Sequence, residues 1–541
     1  MLLGIATMLS TCAWADVSRV WVADQGNGTY INPVIHADYS DPDAIAAADG
    51  SGFYMTASSF QCTPGLPILF SKDLVNWEII NYALERLVPE DFYATPRHGK
   101  GVWAPSIRYH AGKYYIFWGD PDFGIYMVST DNPRGKWSEP TLVKAGKGLI
   151  DPTPLWDEDG KAYLVNGWAA SRAGFNSVLT VWEMKPDGTE LIGNPVMVYD
   201  GNAEGNHTVE GPKFYRHNGY YYILCPAGGV VDGWQLALRS KSPFGPYESK
   251  VVMSQGKTAI NGPHQGAMID TPAGESWFLH FQDKGLYGRV IHLNPIKWDK
   301  DWPVMGNNGQ PVESYRKPAT LGNTSAEIVT PQESDEFSSR QLGLQWEWHA
   351  NYQPTFGFTT DLGFMRINGY ALSPSFVNFW EVPNLLLQKF PAPAFTATAK
   401  VKISAKSAGQ QSGLIVMGHD YCRLTAEFNG KDFELKQITC HDAEQAGIEE
   451  SVTVATVAPT RSYAAGLTPN SELSIWLRVK VEDGGQCRFS YSLNGKKFTD
   501  CPASFQARQG KWIGAKVGMF SVHPATTDCG WIDIDSFIID K

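Results

Sequence analysis

The sequence predicts an all-β protein, a five-bladed β-propeller followed by an antiparallel β-sandwich. Three features predict it. A turn glycine followed by aromatic strand residues recurs five times at intervals of roughly 50–60 residues. Aromatic residues make up 13% of the 541-residue chain, with 53 Gly and 34 Pro as punctuation, which favours short strands and tight turns over helices. Beyond residue 333 the repeat stops, and longer alternating strands joined by Asn-Gly turns take over.

The elements follow in order. Residues 2–15, LLGIATMLSTCAWA, form a short apolar stretch ending in Ala13-Trp14-Ala15, a small-x-small cleavage pattern. They predict a removed signal peptide over 1–15 and export to the periplasm or the cell exterior. Cys12 after Leu9-Ser10-Thr11 offers lipoprotein anchoring as a variant of the same route. The propeller is expected over 28–313. Its five repeat units are Gly52-Phe53-Tyr54, Gly112-Lys113-Tyr114, Gly160-Lys161-Ala162-Tyr163, Gly219-Tyr220-Tyr221 and Gly274-Glu275-Ser276-Trp277. Units of this size with several short strands fit propeller blades. Residues 314–333, polar and without periodicity, read as a linker. Residues 334–541 read as one sandwich.

Composition narrows the function. Charged residues are only 19% and hydrophobic ones 43%, enough for a sizeable core. The formal net charge of -11, with no basic block, disfavours nucleic acid. No 18-residue apolar run follows the N-terminus, so integral membrane association is not expected. In the sandwich, Cys422 and Cys440 flank one hairpin turn and Cys487 and Cys501 another. Each pair is either a disulfide or two reduced core thiols. No CxxC exists to hold zinc.

About ten residues before each turn glycine stands a residue of chemical interest: Asp41, Trp103, Asp151, Glu210 and His264 in turn. At these near-equivalent places on the innermost strands they converge at one end of the channel. Like charges held close split their pKa values. Two carboxylates in different protonation states are what acid–base hydrolysis of a glycosidic bond requires. Asp-Pro pairs are also common turn starters, but Glu210 before Gly-Pro is a poor turn former.

The same stretches resemble glycoside hydrolase family 43: Asn32-Pro33-Val34 with Ser40-Asp41-Pro42-Asp43, Ser71-Lys72-Asp73-Leu74-Val75-Asn76-Trp77, Trp103-Ala104-Pro105, Asp151-Pro152, Glu210-Gly211-Pro212 and Gly288-Arg289. The resemblance covers about 30–310. More weakly, the tail resembles the β-sandwich of β-xylosidases in that family. It implies inverting, exo-acting release of xylose, with L-arabinofuranose as a further product, from oligo- or polysaccharides such as xylan or arabinoxylan fragments. It implies Asp41 as general base, Glu210 as general acid and Asp151 as the residue that raises the acid's pKa. Arg289 would contact substrate hydroxyls, His264 would sit near the channel axis beside water or Ca²⁺, and Trp103 would wall the sugar pocket. Phe60 joins that wall, and Trp168 and Trp234, which follow strands of blades three and four, either line the rim as sugar-binding aromatics or pack the blades. Ser106 stands where many members carry an acid, and Cys62-Thr63-Pro64-Gly65 replaces bulkier aromatics. Both departures blur the choice of sugar.

Two other readings stay open: an α-L-arabinofuranosidase or arabinanase on the same frame, and a non-catalytic carbohydrate-binding propeller. The three carboxylates speak against the latter. No cofactor is needed for the chemistry. In the sandwich, Asp335 with Asp533 and Asp535 offers oxygen ligands for a structural Ca²⁺. Trp346, Trp348 and Trp380 serve either as carbohydrate platforms or as core.

Overall fold

The computed structural model describes residues 17–319, 327–462, 470–525, 527 and 529–541. The expected leader and Cys12 lie outside the described residues. The chain is nearly all β, and five four-stranded antiparallel sheets form a propeller in chain order. The blades open on Asp43–Ala46, Trp103–His110, Leu149–Trp156, Lys213–His217 and His264–Asp270, and the last ends on Trp302–Met305.

The aromatic residue of each repeat explains why the repeat exists. Tyr54 and Tyr114 pack together between blades one and two, with ring centroids 5.4 Å apart. Tyr163 and Tyr221 belong to one buried cluster between blades three and four. Trp277 of blade five packs with Phe53 and Met55 of blade one and so closes the ring. Each fills space that two twisted sheets leave between them. Ser314–Arg316 pairs antiparallel with Thr29–Ile31, tying the two ends of the propeller together. The opening of the expected linker is therefore a strand.

The innermost strands share one local device. Opposite their hairpin partners three of the five carry a bulge, between Trp103 and Ser106, between Ile150 and Thr153 and between His264 and Gly266. At each bulge one residue adopts positive φ: Ala104 (38°), Asp151 (56°) and Gln265 (28°). Asp41 (54°) and Gly211 (58°) complete the set. Proline follows four of the five, at Pro42, Pro105, Pro152 and Pro212. The true equivalents are thus Asp41, Ala104, Asp151, Gly211 and Gln265. Trp103, Glu210 and His264 sit one residue earlier, level with Ser40 and Ile150. The expected single ring is two rings, because hairpin length varies between blades and the distance to the turn glycine does not mark register.

The sandwich consists of two eight-stranded sheets enclosing one apolar core. Trp346 and Trp348, 1% and 4% exposed, belong to this core. Neither disulfide forms. Cys422 pairs in register with Thr439, and Cys440 with Tyr421, so the two thiols point to opposite faces of their sheet. Cys487 lies opposite Phe505, out of register with Cys501, and all four are thiols. The expected Ca²⁺ ligands do not converge either. Asp335 accepts from Trp346 Nε1 (3.0 Å), Asp533 pairs with Arg366 (2.6 Å) and Asp535 with Lys400 (2.7 Å). Among the described residues no group of three or more His, Cys, Asp or Glu is placed to hold a metal.

The two domains are in direct contact. Trp348 N donates to Thr63 O (2.6 Å), the Trp380 ring stacks on His98 at 3.5 Å, and Lys516 Nζ donates to Cys62 Sγ (3.0 Å). Among the described residues no helix is long and apolar enough to cross a membrane.

Candidate active site

One end of the channel opens into a cavity of about 330 Å³. Asp41, Asp151 and Glu210 reach it from blades one, three and four, and Arg289 from blade five. Phe60, Trp103 and Trp168 line its sides. His264 lies just outside, its Nε2 3.5 Å from Glu210 Oε1. Trp234 does not line the cavity; its Nε1 donates to Asn206 Oδ1 (3.1 Å).

Backbone turned to positive φ aims two of the carboxylates, Asp41 and Asp151. In the left-handed region a non-glycine residue carries a modest cost, least for Asp and Asn. Two of the three carboxylates occupy it, as strained positions at functional sites commonly do. Glu210, one residue before Gly211, reaches the same space with a longer side chain.

Each carboxylate has its own surroundings. Asp41, 6% exposed, accepts from Ser58 Oγ (2.6 Å), and Arg289 Nη1 lies 3.1 Å from its Oδ1. Ser58 Oγ also accepts from Ala104 N (2.7 Å), so one hydroxyl fixes Asp41 to the bulge of the next blade. Asp151 Oδ2 accepts from Gly211 N (2.7 Å), which seats it beside Glu210. Gly167 lies beside both residues: a Cβ there would make ordinary contacts with Asp151 Oδ2 (3.5 Å) and Glu210 Cα (3.8 Å). The Glu210 side chain, 32% exposed, makes no hydrogen bond among the described residues that would hold its charge; it meets the cavity and the His264 imidazole.

The electrostatics follow. Burial pushes the Glu210 carboxyl well above the usual range, and the Asp151 and Asp41 charges add to it, while Arg289 pulls the other way. Burial also raises Asp151, with Asp41 adding and the Gly211 N–H opposing. Burial brings His264 down to about 3, helped by Arg289, so it faces Glu210 as a neutral imidazole. Below the mouth, Lys213 Nζ donates to Pro105 O (2.8 Å) and Arg108 pairs with Asp43 (2.6 Å), which keeps buried charge partnered along the channel.

The walls present fixed aromatic faces. Trp103 Nε1 donates to Gly99 O (3.0 Å) and Trp168 Nε1 to Thr180 Oγ1 (3.1 Å), so both indoles are held by their polar edges. Phe60 meets Trp103 edge-on at 6.4 Å. An apolar wall above a polar floor suits a sugar ring, whose one face is C–H and whose rim is hydroxyl.

Sequence reasoning missed two residues. Ser58 is an unremarkable serine until the fold sets it against Asp41. Trp512, 50% exposed at φ 64°, reaches the cavity from the sandwich, more than 200 residues beyond the last blade. Its setting, Gly510-Lys511-Trp512-Ile513-Gly514, was the one available signal.

A five-bladed propeller whose mouth gathers three carboxylates under aromatic walls defines a glycoside hydrolase. Residues 30–303 match the model of glycosyl hydrolases family 43, and residues 334–540 match that of the beta xylosidase C-terminal Concanavalin A-like domain. The chain belongs to family 43. It is 35% identical over 514 residues to a provisionally named beta-xylosidase of Xylanibacter ruminicola, spanning 93% of this chain and 88% of that one. It is 30% identical over 450 residues to a non-reducing end alpha-L-arabinofuranosidase of Bacteroides ovatus, spanning 78% and 81%. The crystal structure of a xylan beta-1,4-xylosidase from Bacillus halodurans C-125 shares the fold, with a TM-score of 0.80, 21% identity and coverage of 94% and 100%.

Proposed function

We propose that the protein is an inverting, exo-acting β-xylosidase that releases xylose from the ends of xylan-derived oligosaccharides, with α-L-arabinofuranosides as secondary substrates. The carrying observation is the contrast between two carboxyls in one cavity. Glu210 is pushed up by burial and by Asp151, whereas Asp41 is held by a guanidinium and a hydroxyl. Glu210, protonated, donates its proton to the leaving oxygen. Asp41, ionised, takes a proton from a water on the opposite face of the sugar. Asp151 keeps Glu210 protonated by like-charge repulsion and anchors Gly211. Arg289 orients Asp41 and reaches substrate hydroxyls. Trp103, Phe60 and Trp168 cover the apolar sugar face.

Exo action is supported by two additions to the cavity wall beyond the blades' inner strands: Trp512 of the sandwich, and Ala170 and Ser171 of the short helix Ala170–Ala173. Assays on nitrophenyl β-xyloside, nitrophenyl α-L-arabinofuranoside and xylo-oligosaccharides test the reading. Xylose release from oligosaccharide ends, faster than arabinose release, is expected. Arabinose release alone would move the assignment to the arabinofuranosidases, and no turnover of any of them would defeat it.

A further inference from the structure

Asp38 is a buried carboxylate outside the cavity with no part in the proton transfers above. It is 5% exposed, and three donors from three places meet on it. Oδ1 accepts from Arg289 N (2.9 Å) and Ser40 Oγ (3.1 Å). Oδ2 accepts from Gly514 N (2.9 Å), which belongs to the sandwich loop carrying Trp512. Asp38 thus joins the residue before Asp41, the backbone of Arg289 and the loop of the other domain.

The approach around it is backbone to backbone. A Cβ on Gly288 would stand 2.5 Å from Asp38 Cγ and 2.7 Å from Gly514 N. A Cβ on Gly514 would stand 2.7 Å from Tyr287 C. Ala515 N donates to Leu286 O (2.7 Å), extending the same seam. At Gly288 and Gly514 no side chain fits between the two loops, so there the carboxylate and two glycines make the contact. Every partner of Asp38 is a donor. An asparagine there would turn an NH₂ group toward at least one N–H.

We propose that Asp38 is a positioning residue that clamps the Trp512 loop of the β-sandwich onto the Arg289 strand and so sets how tightly the cavity closes on the sugar. The proposal rests on the glycosidase reading for its kinetic arm only. Loosening the loop weakens contacts made equally in the ground and transition states, so it raises KM and leaves kcat largely intact.

The test uses the full chain with Asp38→Asn, Gly514→Ala, Trp512→Ala and the double variant Asp38→Asn/Trp512→Ala, assayed on nitrophenyl β-xyloside. Asp38→Asn should raise KM about tenfold, the size of one lost hydrogen bond to a charged group, with kcat within about threefold. Gly514→Ala should do the same by steric means. In the Trp512→Ala background Asp38→Asn should add little, because both act through one loop. Independently, hydrogen exchange in the peptide 508–515 should accelerate in Asp38→Asn, while that of Gln411–Met417 stays unchanged. Unchanged exchange at 508–515, a fall in kcat with KM unchanged, or full additivity with Trp512→Ala would overturn the clamp. Should the wild type turn over no glycoside, the functional reading fails and the exchange experiment alone still decides the clamp. Should Asp38→Asn not fold, Gly514→Ala carries both arms.

Discussion

Replacing Asp151 by Asn should move the alkaline limb of the pH–rate profile toward acid. A general acid works only while protonated, and the Asp151 charge is one reason Glu210 holds its proton. Asp151 Oδ2 and Glu210 Cα both lie within 4 Å of one point above Gly167, and both side chains line the same cavity. Two unit charges about 5 Å apart at an effective dielectric of about 20 repel by about 3 kcal/mol, or about two pH units. Arg289 pulls on Glu210 in wild type and variant alike, so it leaves this difference in place. The amide keeps an oxygen to accept from Gly211 N, so the backbone need not move. The assay is kcat/KM on an aryl β-xyloside between pH 4 and pH 10, which reports the ionisations of free enzyme. In the wild type the two coupled carboxyls titrate as a pair, and the variant leaves one. An alkaline limb that stays in place, or moves to higher pH, would refute the account of Glu210.

Other predictions follow from the same contacts. Glu210→Gln should lose about 10²–10⁴ in rate on xylo-oligosaccharides but far less on substrates with an activated phenolate leaving group; equal losses on both would contradict its role as acid. The same variant should be more heat-stable than wild type at pH 8 but not at pH 4. The folded-state pKa of Glu210 lies above its ordinary 4.5, so the native state binds the extra proton and wild-type stability falls as pH rises past that value. Calorimetry at the two pH values checks this, and a gap that does not widen with pH would contradict it. At the domain interface, burial would raise Glu347, but Lys389 and Lys516 outweigh it and bring the carboxyl down to about 2. Lys516→Met should therefore cost about 3–5 kcal/mol in denaturant unfolding, as expected for one partner of a buried ion pair; a loss below about 1 kcal/mol would refute it.

What was legible in the sequence, and what was not, has physical causes. The blades were legible because each must bury an aromatic residue against the next, which stamps Tyr54, Tyr114, Tyr163, Tyr221 and Trp277 at a regular interval. The residues that reach the mouth were legible as chemistry, but not their levels in it. The turn glycine marks the hairpin, whose length varies, whereas a proline after the positive-φ residue marks register, and four of the five blades carry one. Trp512 was illegible because its position depends on a contact between domains, made through Asp38 and Gly514, that leaves no periodic trace. Cysteines flanking a turn left disulfide and reduced thiols both open, and alternation along adjacent strands decides it by sending Cys422 and Cys440 to opposite faces. The aspartates at the sandwich ends looked like oxygen ligands, but neighbouring strands supply Arg366 and Lys400 as partners instead.

The central claim is that Asp41 and Glu210 work on opposite faces of one bond, with water between Asp41 and the sugar. Proton NMR of the first sugar released from a β-xyloside, read before mutarotation, tests it most directly. Initial appearance of the α-anomer is the predicted result, and initial appearance of the β-anomer would contradict it.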